Sequence, residues 1–264
     1  MSAPAEDKLA AIFARKRREL AARGPRVAAH PRPAPRDFTA ALTQPRPGQP
    51  INVIAEVKRR SPSGGDFPHT DLVAVARGYE AAGASALSVL TDDVDFGGCL
   101  EDLLQVREAT GLPVLRKDFL VSPQEVEESA ALGADAILLI ADALEDGELR
   151  EMVAAARASR VAALVEAHTQ AHAERALQAG AELVGLNNRD LATLRTDTTT
   201  ALRVIPLLHG RARAFVAESG LKTPEDFRAA RAAGAHAVLV GESLLRDADP
   251  GRALARLLAP GDAP

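Results

Sequence analysis

The feature that most limits what this chain can fold into is a unit that recurs eight times. A short aliphatic run is followed by a polar loop, an Ala-rich stretch with helical spacing, and then the next aliphatic run. The runs are Ile51 to Val57, Ala86 to Leu90, Pro113 to Leu115, Ala136 to Ile140, Val161 to Val165, Leu183 to Leu186, Ala214 to Ala217 and Ala237 to Val240. Four of them follow a Gly-Ala pair, at Gly83, Gly133, Gly180 and Gly234, where a helix is expected to stop on a left-handed glycine before the chain re-enters the sheet. Strands that alternate with helices form parallel βαβ units, and runs this uniformly apolar have no wet face, so the sheet must be covered. Between residue 51 and the last residue, 264, each unit has about 27 residues, enough for one strand, one helix and two short connections. Eight such units close most simply into an α/β fold of the (β/α)8 barrel type. A doubly wound open sheet is the alternative, but the Gly-x-Gly-x-x-Gly fingerprint expected after its first strand is missing, and Gly64-Gly65 is a weak substitute.

Ahead of the first unit, Leu9, Ile12, Phe13 and Leu20 fall at helical spacings and predict an amphipathic helix over about residues 6–22, with Arg15 to Arg18 on its solvated side. Seven of the 17 prolines lie from Pro25 to Pro50, so that stretch reads as an extended connector. The expected organisation is an N-terminal helix and proline-rich connector over 1–50, then a barrel over 51–264. A net charge of −4 gives no general attraction for a polyanion, and with no Trp, one Tyr and seven Phe there is little to stack bases on, which argues against nucleic acid. No apolar run approaches the roughly 20 residues needed to span a bilayer, so no membrane is expected. The single Cys99 excludes an internal disulfide and a multi-cysteine zinc site. Glu6, Asp7 and Glu19 interrupt the Ala- and Arg-rich N-terminus and no apolar signal core follows, so a cytoplasmic protein is expected. The oligomeric state is left open, and a monomer is compatible with it.

A barrel of this kind carries its active site at the C-terminal ends of the strands. Those ends are polar here. The first strand ends in Ala55-Glu56-Val57-Lys58, where period-two alternation puts Glu56 and Lys58 on one face. The second leads to Thr91-Asp92, the third to Arg116-Lys117-Asp118-Phe119 and the fifth to Glu166. The sixth ends in Asn187-Asn188-Arg189-Asp190, the seventh in Glu218-Ser219-Gly220 and the eighth in Gly241-Glu242-Ser243. Any one of these charges could simply pair with a neighbour at a wet rim. Together they resist that reading, because carboxylates Glu56, Glu166 and Glu218, two amines and an Asn crowded into one mouth lose hydration that their neighbours only partly restore. Such crowding is how acid and base functions have their proton affinities pushed apart.

The positive charges are lopsided: 27 are Arg and five are Lys, at positions 8, 16, 58, 117 and 222. Lys8 and Lys16 read as surface residues, and Lys222 lies beyond Glu218. Arg stays protonated near neutrality, whereas a buried Lys can be tuned to exchange a proton. Lys58 and Lys117 at strand ends therefore suggest proton transfer or covalent imine chemistry. Ser219-Gly220 and Gly241-Glu242-Ser243 match the places where barrels bind phosphate through backbone N–H groups, with Lys58 and Ser61 able to complete the site. His168 and His172, four apart, lack the acidic or Cys partners of a zinc site and are expected to face solvent or cap a helix. Cys99 has no His positioned beside it by the sequence and makes a poor nucleophile candidate.

At these residues the chain resembles the indole-3-glycerol-phosphate synthase family of tryptophan biosynthesis. The likeness rests on seven ordered motifs: Ile-Ala-Glu-Val-Lys-Arg-Arg-Ser-Pro-Ser from Ile54, Ser-Val-Leu-Thr-Asp from Ser88, Pro-Val-Leu-Arg-Lys-Asp-Phe from Pro113, Leu-Val-Glu from Leu164, Gly-Leu-Asn-Asn-Arg-Asp-Leu from Gly185, Val-Ala-Glu-Ser-Gly from Val216 and Leu-Val-Gly-Glu-Ser-Leu from Leu239. It implies a carboxy-lyase that needs no cofactor and no metal. Its substrate would be a phosphorylated small molecule, 1-(2-carboxyphenylamino)-1-deoxyribulose 5-phosphate, closed to indole-3-glycerol phosphate with loss of CO₂ and water. The resemblance makes Lys117 the general acid and assigns the dehydration to Glu166, Glu56 and Lys58 together, with Asn187 and Glu218 holding the substrate and orienting the amines. It places Ser61, Ser219, Gly220, Gly241 and Glu242 in phosphate-binding loops, Glu242 through its backbone N–H, counts Phe119 among the substrate contacts and has Arg189 brace the mouth. Gly97-Gly98-Cys99 departs from the family pattern, and the glycine-rich Ser63-Gly64-Gly65 loop would suit a mobile lid. The rivals are another phosphate-binding barrel such as phosphoribosylanthranilate isomerase, against which the two strand-end lysines argue, and a non-catalytic barrel that kept the pocket.

Overall fold

A computed structural model describes residues 8–24, 32–62, 64–190 and 195–259. Eight parallel strands close into a barrel: β1 (Asn52–Val57), β2 (Ala86–Leu90), β3 (Val114–Lys117), β4 (Ala136–Ile140), β5 (Ala162–Ala167), β6 (Leu183–Asn187), β7 (Ala214–Glu218) and β8 (Ala237–Val240). Each strand pairs with its sequence neighbours, and β1 closes the ring between β2 and β8, with Ile54 opposite Ala86 and Ala55 opposite Val240. All eight coincide with the aliphatic runs of the sequence to within one or two residues at either end. The open-sheet alternative is thereby excluded.

The helices are α1 (Lys8–Arg23), α2 (Phe38–Thr43), α3 (Leu72–Ala82), α4 (Asp93–Phe96), α5 (Leu100–Ala109), α6 (Pro123–Ala131), α7 (Asp146–Ala158), α8 (Gln170–Gln178), α9 (Thr200–Leu207), α10 (Pro224–Ala232), α11 (Glu242–Leu245) and α12 (Pro250–Leu258). Helix α3 shows how they are specified. Asp71 accepts a hydrogen bond from the Ala74 N–H to start it, Leu72, Val75, Ala76 and Tyr79 bury one stripe, and Gly83 at φ 99° stops it. Gly133, Gly180 and Gly234 take the same left-handed conformation, as the Gly-Ala pairs predict. Burying the aliphatic strands on both faces supplies the main driving force, at about 25 cal/mol per Å² of apolar surface removed from water.

Two N-terminal expectations need correction. The proline-rich connector is not extended throughout: α2, capped by Asp37, buries Phe38 and Leu42 and lies across the N-terminal ends of β1, β2 and β7. Asn52 Nδ2 donates to the Leu42 carbonyl at 2.7 Å, so the short helix closes the bottom of the barrel and is anchored to it. Its signal was present as Asp37 followed by Phe38 and Leu42 at i, i+4 spacing. In α1 the apolar stripe is as expected, with Leu9, Ile12 and Phe13 buried, but the basic run is divided. Arg17 and Arg18 face solvent, whereas Lys16 is buried and Arg15 half-buried. The cause is a pair of acids at the ends of β2 and β3: Lys16 Nζ lies 2.5 Å from Asp118 and 3.3 Å from Asp92, and Arg15 lies 2.8 Å from Asp92.

Candidate active site

The C-terminal ends of the strands surround a cavity of about 820 Å³ whose lining includes Glu56, Lys58, Lys117, Glu166 and Asn187. The barrel pleat explains the convergence. Lys117 is the inward residue of β3, while Arg116 and Asp118 on either side of it point outward and bond to each other at 2.7 Å. On β1 the alternation places Lys58 Nζ 2.5 Å from Glu56 Oε1. Lys117 Nζ reaches Glu166 Oε2 at 3.1 Å and Glu218 Oε2 at 3.5 Å, spanning from β3 to β5 and β7. Asn187 Nδ2 donates to the other Glu166 oxygen at 3.0 Å, and the Arg189 N–H donates to Asn187 Oδ1 at 2.9 Å. Gly185 on β6 makes room for this, because a Cβ there would sit 2.0 Å from Glu218 Oε1.

These charges set one another's protonation. Burial works against the Lys117 ammonium, but Glu166, Glu218 and Glu56 outweigh it and hold the amine's pKa above the ordinary lysine range. Burial likewise opposes ionisation of Glu56, and Lys58 and Lys117 reverse that, leaving its carboxyl below the ordinary range. Glu166 and Glu218 compete for the Lys117 charge and part company. For Glu166 burial is outweighed by Lys117, His168 and the Asn187 hydrogen bond, so it is ionised. For Glu218 burial wins over Lys117 with help from the Glu166 carboxylate, and its pKa is raised. An ammonium at Lys117 has a proton to give and no free electron pair for attack on a carbonyl, which favours proton transfer over the imine alternative.

Beside this cluster the β7 and β8 turns meet, Ser243 Oγ donating to the Leu221 carbonyl at 3.1 Å and Gly241 lying against Glu56. Ser219 stands at φ 65°, a conformation that L residues rarely adopt, with its carbonyl accepting from Asn188 Nδ2 at 2.9 Å; Gly220 follows at φ 81°. A Cβ on Gly220 would approach the methyls of Thr196 and Thr198 at 2.8 and 2.7 Å. Ser219, Gly220, Gly241, Glu242 and Ser243 all line the cavity, as do Arg189 and Phe119. Arg189 bridges the ends of β6 and β8, donating to Glu242 Oε2 at 3.2 Å. Phe119 packs edge-on against Phe13 of α1, and Lys16 of the same helix pairs with Asp118, so the N-terminal helix backs two residues of the cavity wall.

Two expected site residues, Glu218 and Ser61, are not on the cavity lining: Glu218 is buried behind Lys117, which it meets at 3.5 Å, whereas Ser61 lies apart from the charged cluster. It is buried in a two-residue hairpin, Arg60–Ser61 with Gly65–Asp66, and its hydroxyl accepts from the Gly64 N–H at 3.0 Å. Gly64 itself lies against Arg246, which donates to its carbonyl at 2.5 Å and stacks over Phe67. Residue 63, part of the expected lid, lies outside the described residues. Cys99 is exposed at the N-terminus of α5 and away from the lining, and Lys222 is on it. Among the described residues no group of three His, Cys, Asp or Glu side chains is arranged to hold a metal ion, and no helix is long and apolar enough to cross a membrane.

The sequence reading missed three contributions. Arg246 follows Glu242 by one helical turn on α11, a spacing that would have flagged it. Leu90, Phe96, Leu138, Ile140 and Leu239 form an apolar wall that no single motif announces. His168 was expected to face solvent or cap a helix and instead lies with its side chain 10% exposed beside Glu166, two residues on at the end of β5, the same period-two signal that paired Glu56 with Lys58.

Comparison with known proteins agrees with this geometry. Residues 6–257 match the family model described as indole-3-glycerol phosphate synthase. Proteins named indole-3-glycerol phosphate synthase share 46% identity in Mycobacterium avium, over 90% of this chain and 86% of that protein, and 44% in Opitutus terrae, over 96% and 99%. The relative of that name in Laribacter hongkongensis is 45% identical over 85% of this chain and 86% of its own length. Among solved structures, a thiamine phosphate pyrophosphorylase from Pyrococcus furiosus superposes with TM-score 0.59 at 14% identity, over 80% of this chain and 96% of that one. That likeness speaks for the barrel alone.

Proposed function

The chain belongs to the indole-3-glycerol phosphate synthase family, and from that premise we propose how its mouth closes the ring of 1-(2-carboxyphenylamino)-1-deoxyribulose 5-phosphate with loss of CO₂ and water. The single observation that carries the reading is Lys117, an ammonium clamped between Glu166 and Glu218 on the floor of the cavity. Ring closure forms a bond between the aryl carbon that bears the carboxylate and the ketone carbon. The ketone oxygen gains negative charge as the bond forms, and Lys117 gives it a proton. Loss of CO₂ returns the electron pair to the ring and restores aromaticity. Dehydration then needs a proton taken from carbon and a hydroxyl released as water.

In this reading the ionised Glu166 takes that proton, and Lys58, hydrogen-bonded to Glu56, protonates the departing hydroxyl. Asn187 orients Glu166, and Glu218, with its raised proton affinity, orients Lys117 without competing fully for its charge. The apolar wall of Leu90, Phe96, Leu138 and Ile140 suits the aryl ring and excludes water from the developing charges. The phosphate is assigned to the turns at Ser219-Gly220 and Gly241-Glu242-Ser243, with Arg246 and Lys222 as further cations on the lining. Ser61 then acts indirectly, by holding the Gly64 segment against Arg246.

The test is direct. The purified protein is mixed with the carboxyphenylamino substrate, and indole fluorescence and CO₂ are followed together; with no Trp in the chain the background is low. Appearance of both in equal amounts is the expected result. Folded protein that releases neither would overturn the assignment.

A further inference from the structure

The least explained charged group near the mouth is His168. Its Nε2 lies 3.7 Å from Glu166 Oε1 and its Nδ1 3.2 Å from Asp142 Oδ1, with the side chain only 10% exposed. Nε2 makes no hydrogen bond of good geometry among the described residues, and the Arg189 backbone and the Glu166 carboxylate are the groups that favour its charged form from that side. Asp142, just beyond β4, is half-buried, and His172 Nδ1 of α8 stands 2.5 Å from the same Asp142 oxygen. Arg175 of α8 donates to the Ala141 and Leu144 carbonyls on either side of Asp142. Lys117 faces Glu166 from the other side, and Arg189 belongs to the loop after β6 next to Asn187.

We propose that His168 is a positioning residue that keeps the Glu166 carboxylate ionised and aimed after Lys117 has given up its proton, with Asp142 holding the imidazole in its charged form. The inference rests on the roles given above to Lys117 and Glu166. While Lys117 is an ammonium, Glu166 has a cation against Oε2 at 3.1 Å. Once that proton has gone to the ketone oxygen the cation is lost, and a fully buried carboxylate with only an amide partner would itself bind a proton and cease to be a base. A second cation on the Oε1 side, which takes no part in the transfer, prevents this. Burial works against the charge on His168, but Asp142 and Glu166 outweigh it and push its pKa up to about 9, so it is charged through the neutral range. No proton moves through His168 in this scheme.

The test compares the pH profile of kcat for His168→Gln and Asp142→Asn with the parent enzyme. Removing the cation raises the pH at which Glu166 ionises. The acid limb for His168→Gln is therefore expected to move alkaline by about one pH unit, with kcat on that limb down about tenfold, kcat above it little changed and KM within about twofold. Asp142→Asn is expected to move the limb in the same direction by less. If kcat falls equally at every pH and the limb stays in place for both variants, the charge role is wrong and His168 is a packing residue. Glu166→Gln separates the two levels of argument: loss of turnover there, with an unmoved limb in the His168 variant, overturns this proposal alone, whereas a Glu166→Gln enzyme that still turns over overturns the reading beneath it. Circular dichroism on each variant confirms that it is folded before its profile is compared.

Discussion

Strand β3 carries two buried charge clusters back to back, and they are built on opposite terms. On its outer side Arg15, Lys16 and Arg116 meet Asp92, Asp95 and Asp118, so the charges balance. Asp118 there is saturated: Arg116 at 2.7 Å, Lys16 at 2.5 Å and Thr91 Oγ1 at 2.7 Å. On the inner side Lys58 and Lys117 face Glu56, Glu166 and Glu218, one carboxylate too many, and Glu218 Oε1 has no hydrogen-bond partner among the described residues. A balanced, saturated cluster fixes geometry. An unbalanced one must hold a proton somewhere, and that proton can be exchanged. Neighbouring residues in the sequence, Arg116, Lys117 and Asp118, thus serve different ends because the pleat sends them to different sides.

The largest expected effect sets the two sides furthest apart. Lys117→Ala removes the proposed proton donor and is expected to lower kcat by about 10³-fold or more, within the range for loss of a general acid, while binding of a non-reacting phosphate ester persists. Stopped-flow turnover and calorimetric binding on the same preparation check this. Loss of folding instead would move Lys117 into the structural class to which Asp118 belongs.

Next in size is the mirror experiment on the outer side. Asp118→Ala strands Arg116 and Lys16 in a site with little water, and breaking a buried pair in this way costs about 3 to 5 kcal/mol. A fall of that size in denaturant-unfolding free energy is expected. Retention of parent stability would mean that the outer cluster is not what holds α1 and the β3 end together.

The two clusters also predict opposite responses to pH. Burial raises the Asp118 pKa, but Arg116 and Lys16 outweigh it, so its folded pKa is depressed. Its stabilisation is therefore present above the ordinary aspartate range, near 4, and is lost as pH falls below that. Glu218 and His168 have raised folded pKa values, so what they contribute is complete below their unfolded values and is lost as pH rises through the folded ones. Melting temperature measured from pH 3 to 10 should accordingly fall at both ends. Asp118→Asn should flatten the acid side and Glu218→Gln the alkaline side, and an exchange of those two outcomes would break the assignment.

How much of this was legible in the sequence follows from what periodicity can encode. The eight strands and the four glycine stops were readable because each is specified within a few residues. The inner cluster was readable because strand ends in a barrel converge, so Glu56, Lys58, Lys117, Glu166, Asn187 and Glu218 could be placed together without knowing any distance. The outer cluster was not. Lys16 looks like one more base in the run Arg15 to Arg18, and only the position of α1 against Asp92 and Asp118, about 75 and 100 residues away in the chain, shows it to be buried. For His168 the period-two spacing from Glu166 was legible, but its counter-ion Asp142 comes from a different strand end and was not. Pairing across distant elements leaves no local pattern.

Lys16 carries the smallest and sharpest test of the contrast. Its ammonium reaches both Asp118 and Asp92, yet each acid has a second cation, Arg116 for the one and Arg15 for the other. Lys16→Met keeps most of the side-chain volume and removes only the shared charge. Because the arginines remain, the expected loss of stability is about 1 to 2 kcal/mol, well short of the Asp118→Ala effect. The inner site keeps every group that moves a proton, so kcat is expected to fall by less than about threefold. Equilibrium unfolding and steady-state kinetics on one preparation read both quantities. If kcat fell a hundredfold while stability held, the balanced cluster would be part of the catalytic machinery, and the division of labour across β3 would have to be given up.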